Sequence, residues 1–231
     1  VQRVRRVLVA SQFAIATPLL VISGLLLVSL AKLSAVDLGF DGRNLLTGSI
    51  RLPASYQSAP NTPPPDRSDV FFNDLRDRVA AVPGVTGVTF TDGRPPAGGG
   101  NQNNFDLEDA PTPPGKSQPV VPWVGVSPQY FTVLGLRLFD GRLLTDDDAP
   151  GANLQRVVVD QAWARRFFPN SSAVGKRLGQ GGCTTCPWTT VVGVVSTAKY
   201  LGLDAPDQGT VYYVMTGALS RFIMVKADRD S

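Results

Sequence analysis

Residues 7–31 read VLVASQFAIATPLLVISGLLLVSLA, a run without a single charged side chain. As an α-helix rising ~1.5 Å per residue it would be about 37 Å long, more than the ~30 Å hydrocarbon core of a bilayer. Its serines and threonine are tolerable in a membrane helix, and Gln12 is expected to face protein. Pro18 removes one backbone hydrogen bond and kinks the helix unless neighbouring helices compensate. The competing reading is a secretory signal, which has a basic start, an apolar run of ~7–15 residues and a small-residue cleavage site. Leu30-Ala31 and Ser34-Ala35 offer weak cleavage sites, but the run is too long. The expectation is therefore a basic flank over 1–6, a transmembrane helix over 7–33 and an exposed domain over 34–231, in a chain that starts at Val and reads as a piece of a longer protein.

Charge placement orients this anchor. The 231 residues hold 22 Lys+Arg, 19 Asp+Glu and no His, for a formal net charge of +3. Arg3, Arg5, Arg6 and Lys32 give the first 33 residues four bases and no acid, so the remaining residues hold 18 bases against 19 acids. Three arginines precede the span and only Lys32 follows it closely, so the positive-inside rule predicts a cytoplasmic N-terminus and an extracytoplasmic domain. The rest of the chain is faintly acidic, which argues against a nucleic-acid-binding surface. Without histidine there is no Ser/His/Asp triad and no imidazole-based zinc site. No catalytic, cofactor-binding or metal-ligating residue is nominated.

Downstream, Leu45 to Leu52 alternates as a strand, and Ala59 to Pro65 is a Pro-rich linker or loop. Asp66 or Ser68 is a cap for a helix running to about Val82, with Val70, Phe71, Leu75, Val79 and Val82 on one face; Pro83-Gly84 ends it. Val85 to Thr91, Val120 to Val126, Val157 to Val159, Val191 to Val195, Val211 to Val214 and Phe222 to Lys226 are β-branched strand candidates. Ser127-Pro128 is placed to open a short helix through Leu134, and Gln161 to Phe168 a second one ended by Pro169. Arg94 to Asn104 and Ala110 to Pro119 read as surface loops or short hairpin excursions. Many strands with few helices predict an α+β domain built on a mixed sheet.

Candidate chemistry is sparse. Cys183-Thr-Thr-Cys186 has neither a second CxxC nor a histidine to make a zinc site, and would suggest redox chemistry in a cytosolic protein near a βαβ unit. On the oxidising side of a membrane it reads as a local disulfide, with unpaired thiols, redox catalysis and metal binding left as alternatives. Asp146-Asp147-Asp148 lacks the spacing of a calcium loop and reads as a solvated acidic loop. Val174-Gly-Lys176 recurs in phosphate-binding loops, but Asn170 and Arg177 stand where Gly and Ser/Thr are needed. Asp-Gly-Arg occurs at 41–43, 92–94 and 140–142 and reads each time as a turn. Asn170-Ser171-Ser172 matches a glycosylation acceptor by composition alone. Tyr130, Phe131, Trp163, Phe167 and Phe168 are expected in the core rather than around a ligand.

Several short pieces in order carry a family resemblance. They are Val7-Leu-Val-Ala-Ser-Gln12, Val36-Asp-Leu-Gly-Phe40, Val82-Pro-Gly-Val85, Val126-Ser-Pro-Gln-Tyr-Phe131 with Leu134-Gly135, Gly141-Arg142, Ala164-Arg-Arg-Phe-Phe-Pro169 with Val174-Gly-Lys176, and Val191-Val-Gly-Val194. Together they resemble the MacB-like periplasmic core domain of ABC transporter permeases with an FtsX-like membrane region, and the Gln12-containing span looks like the duplicated-permease branch. The resemblance implies a domain inserted between the first two membrane helices of a permease in a bacterial inner membrane. It implies two subdomains, 34–95 with 211–231 and an inserted 96–210, the first left incomplete because the family's domain continues past Lys226 to further membrane helices. It also implies an ABC ATPase as a separate subunit or domain, a second permease copy and a periplasmic adaptor as partners, and conformational coupling for efflux or export. The alternative is a bitopic sensor or adaptor whose exposed domain binds a ligand without a transport cycle. Cys183 and Cys186 match no motif of the family.

Overall fold

Gln2–Ser34 forms one unbroken α-helix, α1, with Pro18 inside it and Lys32 in its last turn. Its most apolar window has a mean hydropathy of 2.3 and no buried residue, so it is long and apolar enough to cross a membrane. Ser34 closes it by donating its hydroxyl to the Leu30 and Ala31 carbonyls at 2.8 and 3.1 Å. The structure is a computed structural model that describes residues 2–56, 65–96, 98, 100–149, 156–181, 187–203, 205–218 and 220–228. Cys183 and Cys186 lie outside the described residues. The chain divides into Val1–Asp37 and Leu38–Ser231.

The second unit begins with β1 (Leu45–Arg51), α2 (Arg67–Ala80) and β2 (Val85–Thr91). Asp66 caps α2, accepting from the Asp69 N–H at 2.9 Å while Asp69 Oδ2 accepts from the Asp66 N–H at 3.3 Å. This reciprocal cap satisfies two backbone donors that a helix start leaves open. The buried side of α2 is Ser68, Asp69 and Phe72, with Phe71 and Leu75 partly covered, whereas Val70 and Val82 are 57% and 51% exposed. The expected face was thus rotated. Apolar spacing alone could not show that Ser68 and Asp69 have buried partners.

Next come β3 (Asn101–Leu107), β4 (Val120–Val126), α3 (Tyr130–Val133) and β5 (Leu138–Gly141). They are followed by β6 (Arg156–Asp160), α4 (Gln161–Phe167), β7 (Arg177–Gln180), β8 (Thr189–Val195), β9 (Val211–Val214) and β10 (Ser220–Ala227). The sheet is mixed, as expected of the α+β class. β3 is a partial correction: Asn101–Asn104 fall in a stretch read as surface loop or short hairpin, and the strand runs on through Phe105 and Leu107, which alternate into the core. β5 and β7, four residues each and containing glycine, had no strand signal.

Strand pairing makes two parts. β10 lies between β1 and β2, antiparallel to both. β4, β3, β7, β8, β6 and β9 pair in that order, and β9 returns to β4 in parallel, so these six close a ring. Of the residues expected to join 34–95, Ser220–Ala227 lies between β1 and β2, while Val211–Val214 pairs within the ring.

All six ring strands feed one cluster, including Phe105, Trp123, Val157, Leu178, Val191 and Val211, with Trp163 of α4 among them. Alternate residues of β4, β6 and β9 (Val124, Val158, Tyr212) turn to the other face and pack with Tyr130, Phe131 and Leu134 around α3. A third cluster, Leu52, Phe72, Phe90 and Met215, joins α2 to its sheet. The five aromatics assigned to core are there: Tyr130, Phe131 and Trp163 are fully buried, and Phe167 and Phe168 pack against the ring cluster.

Candidate functional site

Three features stand out in Leu38–Ser231: a clamp at Leu38–Asp41, a narrow seam where β2 meets β4 within the sheet, and a polar cleft. In the clamp, Leu38 O accepts from Lys199 N at 3.1 Å and Asp41 N donates to Leu134 O at 2.8 Å. Gly39 has φ +76°, and a Cβ there would fall 1.7 Å from the Thr197 carbonyl oxygen, so this close approach requires glycine. Asp41 pairs with Arg43 at 2.9 Å and with Lys226 of β10 at 3.0 Å. The Arg43 guanidinium, with Lys226 second, holds the Asp41 carboxyl well below the usual carboxylate range.

At the seam β2 and β4 share one register pair, Thr91 with Val126. Hydrogen bonds around it supply the connection that the strands do not. Asp92 N donates to Gly125 O at 3.0 Å, and Gly125 N donates back to Asp92 Oδ1 at 2.8 Å. The Tyr213 hydroxyl of β9 donates to Asp92 Oδ2 at 3.0 Å. Burial pushes the Asp92 carboxyl up, opposed by these donors, and burial followed by the Asp92 charge pushes the Tyr213 phenol up. Ser127 was expected to cap a helix. Instead its Oγ accepts from Phe90 N at 3.0 Å and shares a hydrogen bond with Thr89 Oγ1 at 2.7 Å, fastening β2 again; α3 begins after Gln129 without a side-chain cap.

Beside the seam opens a cleft of about 280 Å³, lined by Asn73 and Arg76 of α2, Phe90, Met215, and Asp146 and Ala149 of the 3₁₀ turn Asp146–Asp148 and its C-cap. Asp69 and Arg221 also line it as an ion pair, their side chains 8% and 5% exposed. Asp69 further accepts from Gly217 N at 3.2 Å, and the Arg221 guanidinium lies 4.3 Å from the Phe72 ring centre. Such a pair persists in a low-dielectric setting because further hydrogen bonds satisfy both ions.

Two other buried groups lie outside this region. Asp160 caps α4, accepting from Trp163 N at 2.8 Å, and is fully buried. Burial pushes its carboxyl up to about 7, against opposing hydrogen bonds from Trp163 and Thr210. Tyr130 and Tyr200 share a hydroxyl hydrogen bond, and burial raises both phenols. Asp148 corrects the reading of residues 146–148 as a solvated loop. It is 2% exposed and accepts from Arg142 at 2.6 and 2.8 Å and from Arg156 at 3.2 Å. Arg142, and to a lesser degree Thr145 and Arg156, hold it well below the usual range against burial.

The three Asp-Gly-Arg tripeptides do different work: Asp41 in the clamp, Asp92 in the seam, and Arg142 on Asp148, and Asp140-Gly141 ends β5 against β8 where a turn was expected. Sequence reasoning missed the Asp69–Arg221 pair, whose partners are 152 positions apart. Among the described residues no group of three or more His, Cys, Asp or Glu is arranged to hold a metal.

Comparison with known proteins assigns this architecture. The model of the MacB-like periplasmic core domain matches residues 19–231, and the chain belongs to that family. A relative, the macrolide export ATP-binding/permease protein MacB of Aggregatibacter actinomycetemcomitans, is 46% identical over 54 residues, which are 23% of this chain and 8% of that protein. The crystal structure of the periplasmic region of MacB from Actinobacillus actinomycetemcomitans aligns with a TM-score of 0.51 at 22% identity. The alignment covers 84% of this chain and 78% of that one, a likeness of fold.

Proposed function

We propose that the chain is the anchor and extracytoplasmic domain of an ABC transporter permease subunit. It relays ATP-driven movement of membrane helices to the domain for efflux or export. The ATPase is a separate subunit or domain, and a second permease copy and a periplasmic adaptor complete the assembly. Arg3, Arg5 and Arg6 lie in the cytoplasm, α1 crosses the inner membrane and residues 34–231 lie outside. β1, α2, β2 and β10 act as one subdomain, and the ring of β3, β4, β6, β7, β8 and β9 as the other.

The observation that carries this reading is the clamp. The start of the second unit is fastened to the Thr197–Lys199 segment, to Leu134 and to β10, at Leu38, Gly39 and Asp41. A pull that arrives at Leu38 would be passed into the domain through these contacts, where a loose segment would absorb it. The narrow seam gives the domain a place to bend, since one register pair resists rotation less than a full ladder.

The test uses the full-length permease with its ATPase in cells. Replacing residues 36–42 by a Gly/Ser sequence of equal length is expected to abolish substrate export while expression and ATP hydrolysis continue. Undiminished export would overturn the relay. Cysteine-accessibility labelling across residues 1–40 checks orientation: labelling of positions 1–6 from outside intact cells would reverse it.

A further inference from the structure

We infer that the cleft beside the seam binds a short zwitterionic peptide of about dipeptide size, its carboxylate on Arg76 and its ammonium near Asp146. At about 280 Å³ the cleft is at the lower end of small-molecule pockets, ~300–1,000 Å³. Phe90, Val214 and Met215 give it apolar surface. The Asp69–Arg221 pair is already neutralised internally and makes no net demand on a ligand. The remaining charges decide the chemistry.

Among the described residues Arg76 is held through Nε alone, by the neighbouring Asp77 at 3.0 Å. Its two terminal nitrogens remain for a carboxylate, which a guanidinium edge binds through paired hydrogen bonds. Asp146 contributes its backbone carbonyl to Ala149 N at 3.1 Å, and its carboxylate takes part in no ion pair among the described residues. Arg76 and Asp146 line one cleft without pairing with each other. A ligand with a single charge meets one of them and leaves the other unmet. A zwitterion with an apolar body matches both and covers Phe90 and Met215. This inference goes beyond the transport reading and does not depend on it.

Calorimetric titration of the 231-residue chain in detergent micelles tests it, with leucyl-leucine as probe beside its N-acetyl and C-terminal amide forms. The free dipeptide is expected to saturate one site, and each blocked form to bind about 5- to 10-fold more weakly, up to ~1.4 kcal/mol. Arg76→Gln should erase the preference for acid over amide, and Asp146→Asn that for free over acetylated amine. Both lie at the surface, and an unchanged thermal midpoint shows that the fold is intact. No saturable binding up to ~10 mM in the low-affinity range, equal binding of the three probes, or discrimination kept in both variants overturns the inference.

Discussion

The Tyr213 hydroxyl donates to Asp92 Oδ2 at 3.0 Å across 121 positions of sequence, and Asp92 Oδ1 accepts from Gly125 N at 2.8 Å. One carboxylate thus holds the end of β2 against both β4 and β9, where β2 and β4 share a single register pair.

Asp92→Ala strips the acceptor from two partly covered donors, which costs ~1–3 kcal/mol by the usual penalty for unmet hydrogen bonds. Asp92→Asn keeps one carbonyl oxygen and is expected to cost less. Thermal unfolding in detergent ranks the two; equal midpoints for wild type and Asp92→Ala would remove the seam's chemical basis.

Gly39→Ala is predicted to be severe for its size. The φ of +76° strains any side chain, at ~1–3 kcal/mol, and the added carbon falls on the Thr197 oxygen. Hydrogen exchange should show faster exchange at the Lys199 and Asp41 amides, which bond Leu38 O and Leu134 O. Protection equal to wild type would mean that the clamp tolerates a side chain.

How far these features could be read beforehand follows from the range of each interaction. α1 was legible because a long uncharged apolar run is itself a local pattern, and the strands rich in valine because buried β-branched runs leave one too. β3, with the sequence NQNNFDL, was not, since only Phe105 and Leu107 reach the core and the three asparagines look like a turn. The Asp-Gly-Arg tripeptides show the same limit at the level of the site. One local signal, read each time as a turn, ends in a surface clamp, a seam bridge and a strand end whose arginine pairs with the buried Asp148, because Lys226, Tyr213 and Asp148 arrive from elsewhere.

Asp69 and Arg221 should behave as a unit. Removing either ion leaves its partner charged in a nearly dry site, a loss of ~3–5 kcal/mol. Arg221→Met also gives up the cation–π contact with Phe72 but keeps its bulk. Asp69→Asn combined with Arg221→Met is expected to cost well under the sum of the single changes, with a coupling of at least ~1 kcal/mol. Additive losses in a double-mutant cycle would show that the pair contributes through packing alone.

Asp160 makes stability depend on pH near neutrality. Its folded value of about 7 lies above the ordinary 3.8, so the folded state binds a proton that the unfolded state has lost. Its contribution is greatest at low pH and falls as pH rises from about 4 to about 7, by at most ~1.4 kcal/mol per pH unit. Asp41 and Asp148 are shifted the opposite way. Their contributions are complete above the ordinary carboxylate range and fade only as pH drops below it, so they leave the interval from pH 5 to 8 to Asp160, with a same-signed effect from Asp92. Wild type should therefore melt at a higher temperature at pH 5 than at pH 8. Asp160→Asn cannot ionise, keeps an oxygen for Trp163 N and remains a good helix cap, so it should remove most of the difference. A wild-type midpoint that stays level or climbs between pH 5 and 8 would show that burial does not govern the proton on Asp160.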